Sequence, residues 1–115
     1  MKKILSFALL FLFSPLSFAI SADIEQRNQT VLEIMKCNYA AHILKYEEKS
    51  KKASKYLDKY IAEEYYKGHE ELRGSRYGPL TSEDFNYKLE KDLMSDNAVK
   101  KIFNSSYCQK IYNSK

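Results

Sequence analysis

The chain has no tryptophan, only two cysteines and two histidines, and only three glycines and two prolines. Each shortage removes a class of chemistry. Two histidines fall short of the three or four ligands of a zinc site, and no H-E-x-x-H pair occurs. The glycines, Gly68, Gly74 and Gly78, all fall in one stretch. No glycine-rich turn between a strand and a helix is therefore left to cradle a phosphate or a dinucleotide. Ser75 lies in Gly74-Ser75-Arg76, which is not the G-x-S-x-G turn of a hydrolase nucleophile. His69 beside Glu70 has acid–base character, but no nucleophile or oxyanion motif accompanies it. No metal, no cofactor and no enzymatic role is expected.

What is present begins at residue 2. Lys2 and Lys3 precede an almost wholly apolar run from Ile4 to Phe13; Ser14-Pro15 is expected to break any helix, and Ser17-Phe18-Ala19 sets small residues at the −3 and −1 positions of a cleavage site. Basic start, short apolar run and small-residue site in that order are the parts of a secretory signal peptide. The apolar run is shorter than the roughly 20 residues that span a bilayer core, so no stable membrane span is expected. The domain reading is a cleaved signal peptide at 1–19 and a single helical domain at 20–115, in the periplasm or secreted.

Cleavage changes the composition. Lys2 and Lys3 leave without an acid, so the formal charge of +4 falls by two. A nearly balanced chain lacks the concentrated positive charge that carries nucleic-acid affinity, and no nucleic-acid partner is expected. Four of the six phenylalanines also leave, and all ten tyrosines stay. An exported chain meets oxidising conditions, and two cysteines permit one intramolecular pairing. A Cys37–Cys108 disulfide is expected, tying the last helix to the first.

From Ile20 to Lys67 there is no glycine and no proline, which reads as helix. Ser21 or Asp23 is the expected N-cap. Leu32, Met35, Tyr39, Ile43 and Tyr46 recur at helical spacing and are expected to form one apolar face. The polar stretch Glu47–Ser54 lacks a breaker, so the helix is expected to run through it with at most a slight break. Ala53, Leu57, Tyr60 and Ile61 continue a stripe that ends at Gly68. Residues 68–84 form the main loop, in which His69–Arg73 supplies a short helical turn. Thr81 or Ser82 caps a helix carrying Phe85, Leu89 and Leu93. After a cap at Ser95 or Asp96, one last helix carries Val99, Ile102, Phe103, Tyr107 and Ile111. No alternating strand pattern of convincing length is seen. The fold class is all-α: a small single-domain bundle of about four helices stapled by one disulfide.

Two surface features remain. Lys45, Lys49, Lys52, Lys55 and Lys59 make a loosely basic strip interleaved with Glu47, Glu48 and Asp58. A solvated helix face is its simplest reading; weak attraction to anionic lipid or glycan is the other. The tyrosines are the more distinctive feature, because tyrosine offers a large rigid surface with a polar tip and is enriched at binding hot spots. Tyr65, Tyr66, Arg73, Arg76 and Tyr77, around the main loop, are the expected partner-binding residues. Together these features favour an exported bacterial envelope protein, a monomer or weak homodimer, that binds another protein there as an inhibitor or immunity protein would. The alternative is a periplasmic acid-stress chaperone, since the many carboxylates lose charge in acid.

Overall fold

The computed structural model describes the backbone of residues 2–73, 91, 93 and 95–115, and within that set the side chains from residue 22 onward. The described residues are mostly helical: α1 spans Lys2–Ile43, α2 Glu47–Tyr60, α3 Asp96–Phe103 and α4 Ser106–Tyr112. A wide π turn at Ile61–Tyr65 and a 3-10 turn at Glu70–Leu72 follow α2. The all-α bundle with one disulfide matches the expectation. The expected helix over residues 81–94 lies mostly outside the described residues.

Helix α1 is longer than its breakers suggest. It runs through Ser14-Pro15 and past Ser21 and Asp23, where the sequence predicts a break and a start. A single proline removes one ladder hydrogen bond but does not end a helix that strong helix formers such as Leu and Ala continue on both sides. Asp23 is engaged elsewhere: its Oδ2 lies 3.0 Å from Nε2 of His69.

The break between α1 and α2 comes before the polar stretch, and neither glycine nor proline makes it. Lys45 takes a left-handed conformation with φ of 68°. Around it the Tyr46 N–H donates to the Ala41 carbonyl at 2.8 Å and the Lys45 N–H to the His42 carbonyl at 3.0 Å. This is the pair of reversed bonds that satisfies the last carbonyls of a helix. A left-handed non-glycine residue costs about 1–2 kcal/mol. The two capping bonds and the docking of Tyr46, whose ring stacks on Phe103 at 4.8 Å, offset that cost. Ser50 Oγ then donates across the pair to Asn38 Oδ1 at 2.5 Å, setting the register of α2 on α1.

The apolar face of α1 is only in part the one its large residues suggest: Leu32 is buried and Met35 packs against the core. Tyr39, Ile43 and Tyr46 are exposed, whereas Ile34, Cys37, Ala40 and Ala41 are buried. The small residues face α2, where Ala53 is likewise buried, and their size lets the two helices approach closely. Around them pack Val99 and Phe103 of α3 and Cys108, Ile111 and Tyr112 of α4. A second group, Val31, Leu32, Tyr65 and Tyr66, lies farther from the hairpin turn. Leu57, Tyr60 and Leu93 pack against both groups and make one continuous core.

The single last helix expected after residue 95 is two helices. Ser95 caps α3 by accepting from the Ala98 N–H at 3.1 Å, and Ser105 caps α4 by accepting from the Cys108 N–H at 3.2 Å. A serine whose side chain bonds the backbone ahead of it opens a new helix rather than continuing the old one. This cap sets the turn that holds Cys108, which is bonded to Cys37, 71 positions earlier in sequence, with their Cα atoms 5.3 Å apart. Tyr112 Oη donates to the Cys37 carbonyl at 2.5 Å, so α4 is tied to α1 twice at one point. Lys49 Nζ lies 5.3, 5.1 and 5.7 Å from the ring centroids of Tyr46, Phe103 and Tyr112, joining α2 to both C-terminal helices through cation–π contacts.

Candidate binding surface

Of the five residues expected to bind a partner, the structure places three. Tyr65 and Tyr66 are buried, so the expected contact surface is in part core. The reason is local. The wide turn at Ile61–Tyr65 shifts the helical register, and both tyrosines turn onto Val31 and Leu32 of α1. Their rings meet edge to face at 4.9 Å. Tyr65 Oη donates to Asn28 Oδ1 at 2.6 Å, and Arg27 Nη1 donates to the Tyr65 carbonyl at 2.7 Å. Burial, then the neighbouring Tyr66 phenol, raises the Tyr65 pKa above its usual value; the Asn28 bond works against them.

Arg73 is at the surface but occupied. Its guanidinium lies 4.8 Å from the Tyr66 ring centroid, Nε donates to Glu70 Oε2 at 3.0 Å, and Nη2 donates to the Ala62 carbonyl at 3.2 Å. Gly68, with φ of 83°, is the left-handed residue that lets the chain turn from Tyr66 into this cluster. Arg76 and Tyr77 lie outside the described residues. Tyr65, Tyr66, Arg73 and the His69–Asp23 pair thus form a clamp that holds the chain after α2 against α1.

The surface that does present tyrosine is elsewhere. Tyr39, Tyr46, Tyr56 and Tyr107 are 46, 49, 38 and 41% exposed. No family model, no curated protein and no solved structure matches this chain. The geometry itself must therefore carry any functional reading. Tyr107, on α4, lies within electrostatic reach of Tyr56 and Tyr60 on α2: burial raises its pKa, and those two phenols and the Glu33 carboxylate raise it further. Tyr107 therefore stays protonated and able to donate near neutral pH.

Tyr56 and Tyr60 also open onto a cleft of about 510 Å³ between α2 and the residues after α4, a size typical of small ligand sites. Lys52, Lys55 and Lys59 line it on the α2 side, with Glu63 and Glu64 at its far end and Ser114 and Lys115 opposite. Lys52 Nζ bridges the walls, donating to the Ser114 carbonyl at 3.3 Å. Glu64 is engaged with Lys67 at 3.9 Å. Lys55 and Lys59 have no carboxylate partner among the described residues. Among those residues, no cluster of His, Cys, Asp and Glu could hold a metal ion, and no helix is long and apolar enough to cross a membrane.

The sequence misplaced two of the exposed tyrosines for a physical reason. Tyr39 and Tyr46 recur at helical spacing with Leu32 and Met35, so periodicity assigned them to the core. The signal that would have separated them is Ala40-Ala41: adjacent small residues mark the face that a second helix approaches, and Tyr39 lies beside it rather than on it.

Proposed function

We propose that this chain is exported through residues 1–19 and that residues 20–115 act in the cell envelope by binding another protein, as an inhibitor or immunity protein of an envelope enzyme. One observation carries this reading. Four tyrosines stand 38–49% exposed on a frame in which the Cys37–Cys108 bond joins α1 to α4 and core packing and the Ser50–Asn38 bond hold α2 on α1. Rigid aromatic side chains on a pre-organised frame lose little freedom on binding and commonly dominate an interface. The frame gives the surface one shape, which suits recognition of one partner.

The test has two arms. The full chain is expressed in a host with an export pathway, and the intact mass of the exported form is expected to begin at Ile20. A mass retaining residues 1–19 removes the export half of the reading. The partner is then recovered by cross-linking to the native protein, and its affinity is measured for wild type and for Tyr39→Ala/Tyr56→Ala/Tyr107→Ala. Each hot-spot truncation is expected to weaken binding by about 1–3 kcal/mol. Equal affinity for the triple variant would place the interface elsewhere. The chaperone alternative is distinguished near pH 3, where it requires loss of near-UV tyrosine signal and gain of dye binding, and binding of a single folded partner does not.

A further inference from the structure

The cleft beside α2 combines three observations that bear on what occupies it. First, Lys55 and Lys59 are four residues apart on α2, one turn of helix, and exposed. At 1.5 Å rise per residue their stems are about 6 Å apart along the axis. An extended chain presents alternate side chains on one side about 6.6 Å apart, so carboxylates at positions i and i+2 of such a chain match this spacing. Second, the phenols of Tyr56 and Tyr60 line the cleft next to these lysines. They offer a flat apolar wall with hydroxyl donors for backbone carbonyls or carboxylates. Third, the positive stretch is short. Glu48, paired with Lys51 at 3.6 Å, lies toward the start of α2, and Glu63 and Glu64 lie beyond its end. From Lys52 to Lys59 the axis covers about 10 Å, the length of about three extended residues.

We propose that this cleft takes a short, extended, acidic segment of the partner protein, with alternate carboxylates on Lys55 and Lys59 and the intervening backbone against Tyr56 and Tyr60. The proposal rests on the protein-binding reading above and names the chemistry of what is bound. The bracketing acids set the length of the ligand. A long polyanion, such as nucleic acid or a sulfated glycan, would lay further charges against Glu48 and Glu63, and the like-charge contact opposes it. A segment with two or three carboxylates fits between them.

The experiment uses the purified protein and a fluorescein-labelled pentapeptide Ala-Glu-Ala-Glu-Ala, with Ala-Gln-Ala-Gln-Ala as the uncharged control and a heparin oligosaccharide as the long polyanion. Anisotropy at low salt reads the binding. The Glu peptide is expected to bind saturably and the Gln peptide not. Lys55→Gln/Lys59→Gln is expected to weaken it about tenfold, as the loss of two exposed charge pairs does. Lys100→Gln/Lys101→Gln makes the same charge change on exposed α3 lysines and is expected to leave it within about twofold. Tyr56→Ala is expected to weaken both the peptide and the cross-linked partner. Equal loss for the two lysine pairs, or heparin binding more tightly and losing equally with Lys55→Gln/Lys59→Gln, overturns the proposal. The two readings fail separately. If the exposed-tyrosine variant loses the cross-linked partner while the lysine pair changes neither probe nor partner, the acidic-segment proposal falls and protein binding stands. If the peptide depends on Lys55 and Lys59 but no partner depends on the exposed tyrosines, the cleft stands without that function.

Discussion

The two halves of the core hold the chain to α1 by different means. Near the hairpin turn, small and aliphatic side chains pack closely, and a covalent bond joins Cys37 to Cys108. Farther from the turn there is no covalent tie among the described residues. Tyr65 and Tyr66 fill that part of the core, and polar groups fasten it: Asn28 takes the Tyr65 hydroxyl, Arg27 the Tyr65 carbonyl, and Asp23 the His69 ring. The first half meets charge mainly at the Lys49 ammonium over its rings and at one buried phenol. The second depends on hydrogen bonds and ion pairs at its rim. A short chain with a modest core thus keeps its covalent tie for the contact most distant in sequence and secures the nearer one with a tyrosine hydroxyl, an arginine and a His–Asp pair.

The largest expected effect tests the covalent half. Cys37→Ser should destabilise the oxidised protein by about 2–5 kcal/mol, as loss of a native disulfide does in a small secreted domain. The Cys37→Ser/Cys108→Ser double variant should be no worse than either single, because the same bond is lost each time. Urea denaturation measures both. A loss below about 1 kcal/mol would mean that the half near the turn is held by packing alone, and the contrast would vanish.

The next effect lies on the buried phenol in that half. Burial pushes the Tyr112 pKa up to about 12 from 10.0. The folded value is above the unfolded one, so the stability it reflects is complete below pH 10. It is lost as pH rises toward 12, because the unfolded chain releases its proton first. The fall across that window should be about 2–3 kcal/mol. Tyr65 is shifted in the same direction and adds to it. Denaturation at pH 9 and pH 11 reads the slope, and Tyr112→Phe should flatten it. An unchanged slope in that variant would assign the alkaline loss to the other half.

Tyr65→Phe probes the polar half more gently. It keeps the ring in the core and removes the donor to Asn28 Oδ1, and should cost about 1–2 kcal/mol. A cycle with Asn28→Ala separates the bond from the ring: non-additivity of less than about 0.5 kcal/mol would show that packing, not the hydroxyl, secures this half.

The smallest effect is at the turn that separates the helices. Lys45→Gly should stabilise by up to about 1 kcal/mol, since glycine adopts φ of 68° without the clash that a Cβ meets. A loss on that substitution would mean that the Lys45 side chain contributes a contact that outweighs its backbone cost.

Much of this architecture was legible in the residues. The disulfide followed from two cysteines in a chain with a signal-like start, and the Ser95 cap from its position before an apolar stripe. The α1–α2 turn was not legible, because a lysine occupies the left-handed position and no propensity marks it. The division of the last helix at Ser105 was missed because "FNSSYC" carries neither glycine nor proline; the cap is a side-chain bond that only the folded geometry reveals. At the candidate site, Tyr65 and Tyr66 read as a surface cluster leading into a loop. The wide turn before them, invisible in composition, turned both inward. The lysines of the cleft were seen as a strip, but Ser114 and Lys115, which complete it, are brought there only by the disulfide-held α4.

The spacing of the two cysteines also sets the order in which the molecule assembles. Helices α1 and α2 meet through a three-residue turn at 44–46, so their pairing is local and should form within about microseconds of both segments emerging. Cys108 arrives 71 residues after Cys37, and oxidation takes seconds or longer. Because only two cysteines exist, the first intramolecular bond made is the native one. Oxidation then acts as a latch on a preformed hairpin, and the slow reshuffling that burdens chains with several disulfides has no counterpart here.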